Sequence, residues 1–375
     1  SYNFLFNRKV HCFSKQNRMN QRTIFGFKSA FWVANTMELF ERWAFYGIFA
    51  LLAIYMDSPV SEGGLGFSST QRGTLQGTVT LLIYLLPVFT GAIADRFGFR
   101  RILLVAFVIL GVGYFLMGQV SGYGLLFLIF AGVGVGAALF KPVIVGTVSL
   151  NTTPKNDTVG FGIFYMIVNV GGFIGPFVAS KLRDINWDYV FITSALIIAL
   201  NLILLFTIYR QGSLQNREKK PLGKELLGVL ENLFSALSNY RFLIFIVIMS
   251  GFWMMYWQIF FTLPVYIDQW VDTTVIYNSA DWIAYTFGNK NGEISPEMIQ
   301  NLGAATIVLF QVVISNLIKR IRPLTSILFG ILLSSLAMGA MSIGVNGWII
   351  VIAIVFFTFG EMASSPRTQE YVGRF

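Results

Sequence analysis

From Glu38 to Gly47 the chain reads Glu-Leu-Phe-Glu-Arg-Trp-Ala-Phe-Tyr-Gly, two carboxylates and a guanidinium inside an apolar run from about Ser29 to Met56. Such a run is long enough to cross a bilayer. A charge at the centre of a spanning helix costs about 2.5–3.5 kcal/mol even on the lenient insertion scale. At 100° per residue, Glu38, Arg42 and Tyr46 fall at i, i+4 and i+8, with Glu41 beside Arg42. The helix therefore carries one charged stripe, which must face protein or water. An ion pair that only joins helices is one reading of that stripe. A substrate or proton site is the other, and three charges with a tyrosine below them favour it. Lys141, before Pro142, is a further cation well inside a later apolar run. An unpaired buried charge is far costlier than a paired one, so Glu41, Arg42 and Lys141 are expected to form one buried network. Asn169 and Glu361 bring an amide and another acid into apolar runs. Asn169 also suits helix–helix adhesion, and Tyr84 also suits a core position. Pro366 is expected to break the last helix and hold Glu361 against a cavity.

These residues need membrane helices to position them. Hydrophobic residues make up 55% of the chain and charged ones 12%, with a mean hydropathy of +0.67; an ordinary soluble domain carries about 25% charge. Apolar spans run over about 29–56, 71–94, 102–120, 124–150, 158–182, 189–210, 242–267, 299–318, 324–343 and 348–366. The single cysteine, Cys12, and single histidine, His11, lie in the polar leader. They exclude an internal disulfide framework and a Cys- or His-based metal or catalytic centre, so neither an enzyme nor a cofactor is expected.

Lys and Arg alternate between connections. Arg8, Lys9, Lys15, Arg18, Arg22 and Lys28 precede the first span; Arg96, Arg100 and Arg101 follow the second; Lys155 follows the fourth. Arg210, Arg217, Lys219, Lys220 and Lys224 follow the sixth, and Lys319, Arg320 and Arg322 the eighth. The other connections hold mainly acids. This is the positive-inside pattern of a multi-pass protein of the cell membrane with a cytoplasmic N-terminus. It accounts for the net charge of +9 without a nucleic-acid partner. The expected organisation is a cytoplasmic leader over 1–28, a six-helix bundle over 29–210, a linker over 211–240 and a four-span second bundle over 241–375. The leucines at 222, 226, 227, 230, 233 and 237 predict an amphipathic helix on the cytoplasmic surface of that linker. Six spans, a basic linker and a second set is a two-bundle transporter layout. The leader has no short apolar core before a cleavage site, Met19 is read as a natural start, and the second bundle is read as C-terminally truncated.

Gly91-Ala-Ile-Ala-Asp95-Arg96-Phe-Gly98-Phe-Arg100-Arg101 resembles the loop signature of the major facilitator superfamily. Within it the chain resembles the proton-dependent oligopeptide transporters. The first-span motif matches from Glu38 to Gly47, the fourth-span Gly-x-Gly…Lys-Pro pattern through Lys141-Pro142, the fifth-span motif through Asn169 to Gly172, and the tenth-span motif through Glu361 and Pro366. The resemblance implies an all-α, twelve-span fold of two bundles, ten spans being present here, that imports di- and tripeptides with protons by alternating access. It implies that Arg42 and Lys141 hold the peptide carboxylate and Glu361 the amino group. Asn169, Tyr46, Tyr84, Trp253 and Gln258 would complete the substrate site, and Glu38 and Glu41 would carry proton coupling.

Three positions depart from the family: Phe45 stands in place of the first of its paired tyrosines, Phe49 where it commonly has an arginine, and Trp257 where it has an acid before the seventh-span Gln258. Losing one partner would strand a charge; losing both permits an apolar seal. Phe49 and Trp257 are therefore expected to face each other as an outer gate. The rival readings are a relative carrying nitrate or a peptide-like metabolite, and a receptor or scaffold on the same fold. The retained acid pair Glu38 and Glu41 favours peptide over both.

Overall fold

The computed structural model describes residues 23–153, 156–209, 222–318 and 320–372. Most of the leader, the basic stretch from Arg210 to Lys220, Lys155 and Lys319 lie outside the described residues. The chain enters through a two-stranded antiparallel hairpin, β1 Thr23–Ile24 and β2 Phe27–Lys28. Gly26 at its turn takes φ +81°, where a side chain is strained. The Phe27 ring stacks on Phe31 at 4.2 Å, tying the hairpin to the first helix.

That helix, α1 (Ser29–Asp57), is the centre of the first half of the molecule. It packs mainly on α6 (Asp157–Arg183) and α7 (Trp187–Thr207). Glycine lets α6 approach closely: a Cβ at Gly175 would sit 2.4 Å from the Trp43 carbonyl oxygen, and one at Gly171 would sit 2.8 Å from that of Leu39. Between them in sequence come α2 (Ser69–Leu85), α3 (Pro87–Phe97), α4 (Phe99–Met117) and α5 (Tyr123–Leu150). The expected single span over 71–94 is in fact α2 and α3, bent by 48°. Pro87 opens α3 and supplies no N–H to the helical ladder, although Leu86 before it keeps helical backbone angles, φ −64° and ψ −33°.

The second half contains α8 (Leu222–Ser238), the helix expected in the linker, then α9 (Tyr240–Phe261) and the short α10 (Leu263–Trp270). The seventh span thus stops at Phe261 rather than continuing to 267, with Pro264 at the start of the next helix. Two short helices, α11 (Thr274–Tyr277) and α12 (Asp281–Phe287), fill the long connection to α13 (Pro296–Ile318). Then come α14 (Pro323–Ala340) and α15 (Gly347–Val372). Among the described residues nine helices are long and apolar enough to cross a membrane, or ten with the bent pair as one. A larger apolar core unites α1–α7 and a smaller one α9–α15; Phe260 packs against both.

Candidate functional site

The charged stripe of α1 is buried. Glu38 and Glu41 are both 0% exposed. Arg42 donates to Glu41 through Nε and Nη2, and its Nε lies 3.5 Å from Glu38 Oε1. The guanidinium carbon also lies 4.9 Å from the Phe45 ring centre and 5.7 Å from that of Tyr46. Lys141 Nζ donates to Glu38 Oε1 at 2.7 Å. The three charges expected together do meet, but the acid that holds Lys141 is Glu38, not Glu41. Glu38 lies one turn from Arg42 on the same stripe, and the packing of α1 against α5 turns its carboxylate, rather than that of Glu41, towards Lys141. Glu38 is thus shared by two cations, while Glu38 Oε2 and Glu41 Oε1 find no hydrogen-bond partner among the described residues.

Between the two cores lies a cavity of about 200 Å³. The first half contributes Tyr46, Tyr84, Tyr165 and Asn169; the second contributes Trp253, Tyr256, Trp257, Gln300 and Glu361. Asn169 donates its amide to the Tyr165 carbonyl oxygen of its own helix at 2.8 Å. Glu361 reaches the cavity without a helix break, since α15 runs through Pro366. A proline interrupts one backbone bond of a helix that its flanking turns can still hold, as Pro142 and Pro176 also do here.

Of the expected substrate residues, Arg42, Lys141 and Gln258 do not line this cavity. The Gln258 amide is bonded locally: Nε2 donates to the Met254 carbonyl oxygen at 3.2 Å and Oε1 accepts from the Thr262 hydroxyl at 2.6 Å. The amide of α9 is spent on its own helix. Phe49 and Trp257 touch edge to face, ring centres 5.7 Å apart, with Phe260 and Phe261 also within 6.2 Å of Phe49.

Sequence reasoning missed a second charged cluster, at the end of the molecule where α1 finishes. Arg183, at the end of α6, donates Nη1 to Glu297 Oε2 at 3.0 Å and Oε1 at 3.3 Å. Its Nη2 lies 3.8 Å from Asp268. Lys181 donates to the Gly288 carbonyl oxygen at 2.7 Å and Lys290 to that of Asp184 at 3.2 Å. Each contact joins the first half to the second, beside a pocket of about 590 Å³. Glu297 is 0% exposed, belongs to α13 and, like Glu361, lines the cavity between the cores. The signal lay in Ser295-Pro296-Glu297: proline favours the first helical turn, and an acid suits the same turn.

The Major Facilitator Superfamily profile matches residues 31–374. The chain belongs to the major facilitator superfamily. Its relatives there include the peptide transporter YePEPT of Yersinia enterocolitica, 30% identical over 47% of this chain and 35% of that protein. Dipeptide and tripeptide permease B of Photorhabdus asymbiotica is 31% identical over 49% of this chain and 37% of that one. The matched stretch is thus little more than a third of these relatives' lengths. Multidrug resistance protein MdtH of Yersinia enterocolitica is 23% identical over 87% of the chain and 73% of its own. Among solved structures, a POT family transporter in complex with 5-aminolevulinic acid superposes with a TM-score of 0.71 at 22% identity, covering 93% of this chain and 85% of that one. A peptide transporter POT in complex with sulfate gives 0.68 at 21% identity, covering 92% and 82%. Within the superfamily the resemblance is therefore to the proton-dependent oligopeptide transporters, and the protein is a multi-pass membrane protein of a transporter family.

Proposed function

We propose that the protein is a proton-coupled symporter that imports small peptides by alternating access, with its N-terminus in the cytoplasm. The observation that carries this reading is the Glu38–Arg42–Lys141 network on one half, its acid buried and Lys141 39% exposed, and Glu361 lining the cavity from the other half. Cations on one side and an acid on the other suit a short zwitterion laid across the bundles. Its carboxylate competes with Glu38 for Lys141 and Arg42, and its ammonium approaches Glu361. Freed from its cations, Glu38 or Glu41 gains a reason to take a proton, since a buried carboxylate without a partner favours its neutral form. Substrate and proton are then coupled through one shared set of cations. Asn169, Tyr46, Tyr84 and Trp253 shape the cavity around the peptide. Phe49 and Trp257 form the apolar part of the outer gate.

A second reading, export of an amphiphilic drug, draws on the similarity to MdtH over most of the chain. The decisive experiment is counterflow of labelled dialanine in proteoliposomes of the full-length protein. Accumulation that acidification outside enhances is the expected result. Absence of counterflow, with efflux of a cationic dye instead, would reverse the choice.

A further inference from the structure

The cavity contains an amide that the assignments above leave unused. Gln300 of α13 lines it, is 6% exposed, and has no hydrogen-bond partner for either Nε2 or Oε1 among the described residues. A buried primary amide with all of its polar atoms unpaired is rare in folded proteins, because each lost hydrogen bond to water goes uncompensated. Such a group is better explained by a ligand than by the fold.

Its surroundings fix where it points. Gln300, Gly303, Ala304 and Ile307 all line the cavity, at i, i+3, i+4 and i+7, so one face of α13 is turned to the substrate space. The helix is also held from rotating. Glu297, one turn before Gln300, is bound by Arg183, and the neighbouring Asn301 donates to the Phe173 carbonyl oxygen of α6 at 2.7 Å. Gln258, the glutamine chosen from sequence, is bonded within α9. Among the described residues the second half therefore offers the cavity one glutamine amide without a partner, and it comes from α13.

Resting on the peptide reading above, we propose that Gln300 is the specificity residue that reads the substrate's peptide bond, its Nε2 donating to the first carbonyl oxygen. Oε1 can accept from the terminal ammonium, which lies on the same side of that residue and also faces Glu361. A ligand with two charges but no carbonyl between them would leave the amide unpaired, so the site selects peptides over other zwitterions of like length.

The test uses the full-length protein and two probes, dialanine and its thioamide analogue, whose sulfur is the poorer acceptor. The wild type should bind dialanine about three- to tenfold more tightly than the thioamide, the range of one neutral hydrogen bond. In Gln300→Leu that ratio should collapse towards one, chiefly through weaker dialanine binding. The melting temperature of ligand-free Gln300→Leu should equal or exceed the wild type's, because an unpaired buried amide has been removed. Equal loss for both probes, an unchanged ratio, or a melting temperature several degrees lower would each overturn the role of Gln300 and leave the peptide reading standing. Failure of the wild type to bind either probe would overturn the peptide reading, and this inference with it.

Discussion

The two charged clusters differ in what they join. Glu38, Arg42 and Lys141 belong to α1 and α5, inside one core. Arg183 belongs to the same half, but both of its acids, Glu297 and Asp268, come from the other. If the halves rock about the cavity, the first cluster moves as a unit and the second must come apart. Two comparably buried clusters are thus placed differently: in the function proposed above, one set of charges is kept for a ligand and the other holds a seam shut. Phe49 and Trp257 lie on the same seam, so the proposed outer gate is apolar near the cavity and ionic at its rim.

The contrast can be broken most sharply at Glu38. In Glu38→Gln two cations lose their common carboxylate, and uphill dialanine uptake should fall at least a hundredfold. The seam should be untouched, so a reporter cysteine at Ile267 (1% exposed), in a Cys12→Ser background, should label as slowly as without the change. Faster labelling would show that the two clusters are not independent.

Arg183→Ala should do the reverse. It strands the buried Glu297 in the closed state, at a cost of about 3–5 kcal/mol. Labelling at Ile267→Cys should rise on the order of a hundredfold while binding of dialanine persists. Adding Phe49→Ala should raise it by a further factor of about ten; no further rise would remove the rings from the gate. Unchanged labelling in Arg183→Ala would show that the pair is not a latch.

The smallest effect belongs to Asp268, whose pair with Arg183 is long and whose side chain is 35% exposed. Burial raises its carboxyl above the ordinary range, with Arg183 opposing. The charged form is thus disfavoured when the seam is closed, and that penalty is relieved as pH falls through the raised value. Acid should tighten the seam slightly through this group. Asp268→Asn should imitate the acid form, change labelling less than about threefold, and flatten its response to pH on the acidic side. A larger change would mean that Asp268, not Glu297, is the main partner.

The sequence by itself determined the membrane class, the succession of apolar helices and the residues that could do chemistry. Hydrocarbon tolerates so few charges that each one present is legible as a site or a seam. Glu38, Arg42, Lys141 and Glu361 stood out for that reason alone. Partner choice was not legible. Whether Lys141 meets Glu38 or Glu41 depends on the rotation of α1 against α5, which close packing fixes and composition does not. Proline effects were also undecided: Pro87 begins a bent helix while α15 passes through Pro366. Glu297 was hidden because two residues decide whether it precedes a span or begins one. The two glutamines show the limit most plainly. Gln258 and Gln300 have the same chemistry, and only the tertiary structure decided that one is bonded to its own helix and the other is left open to the cavity.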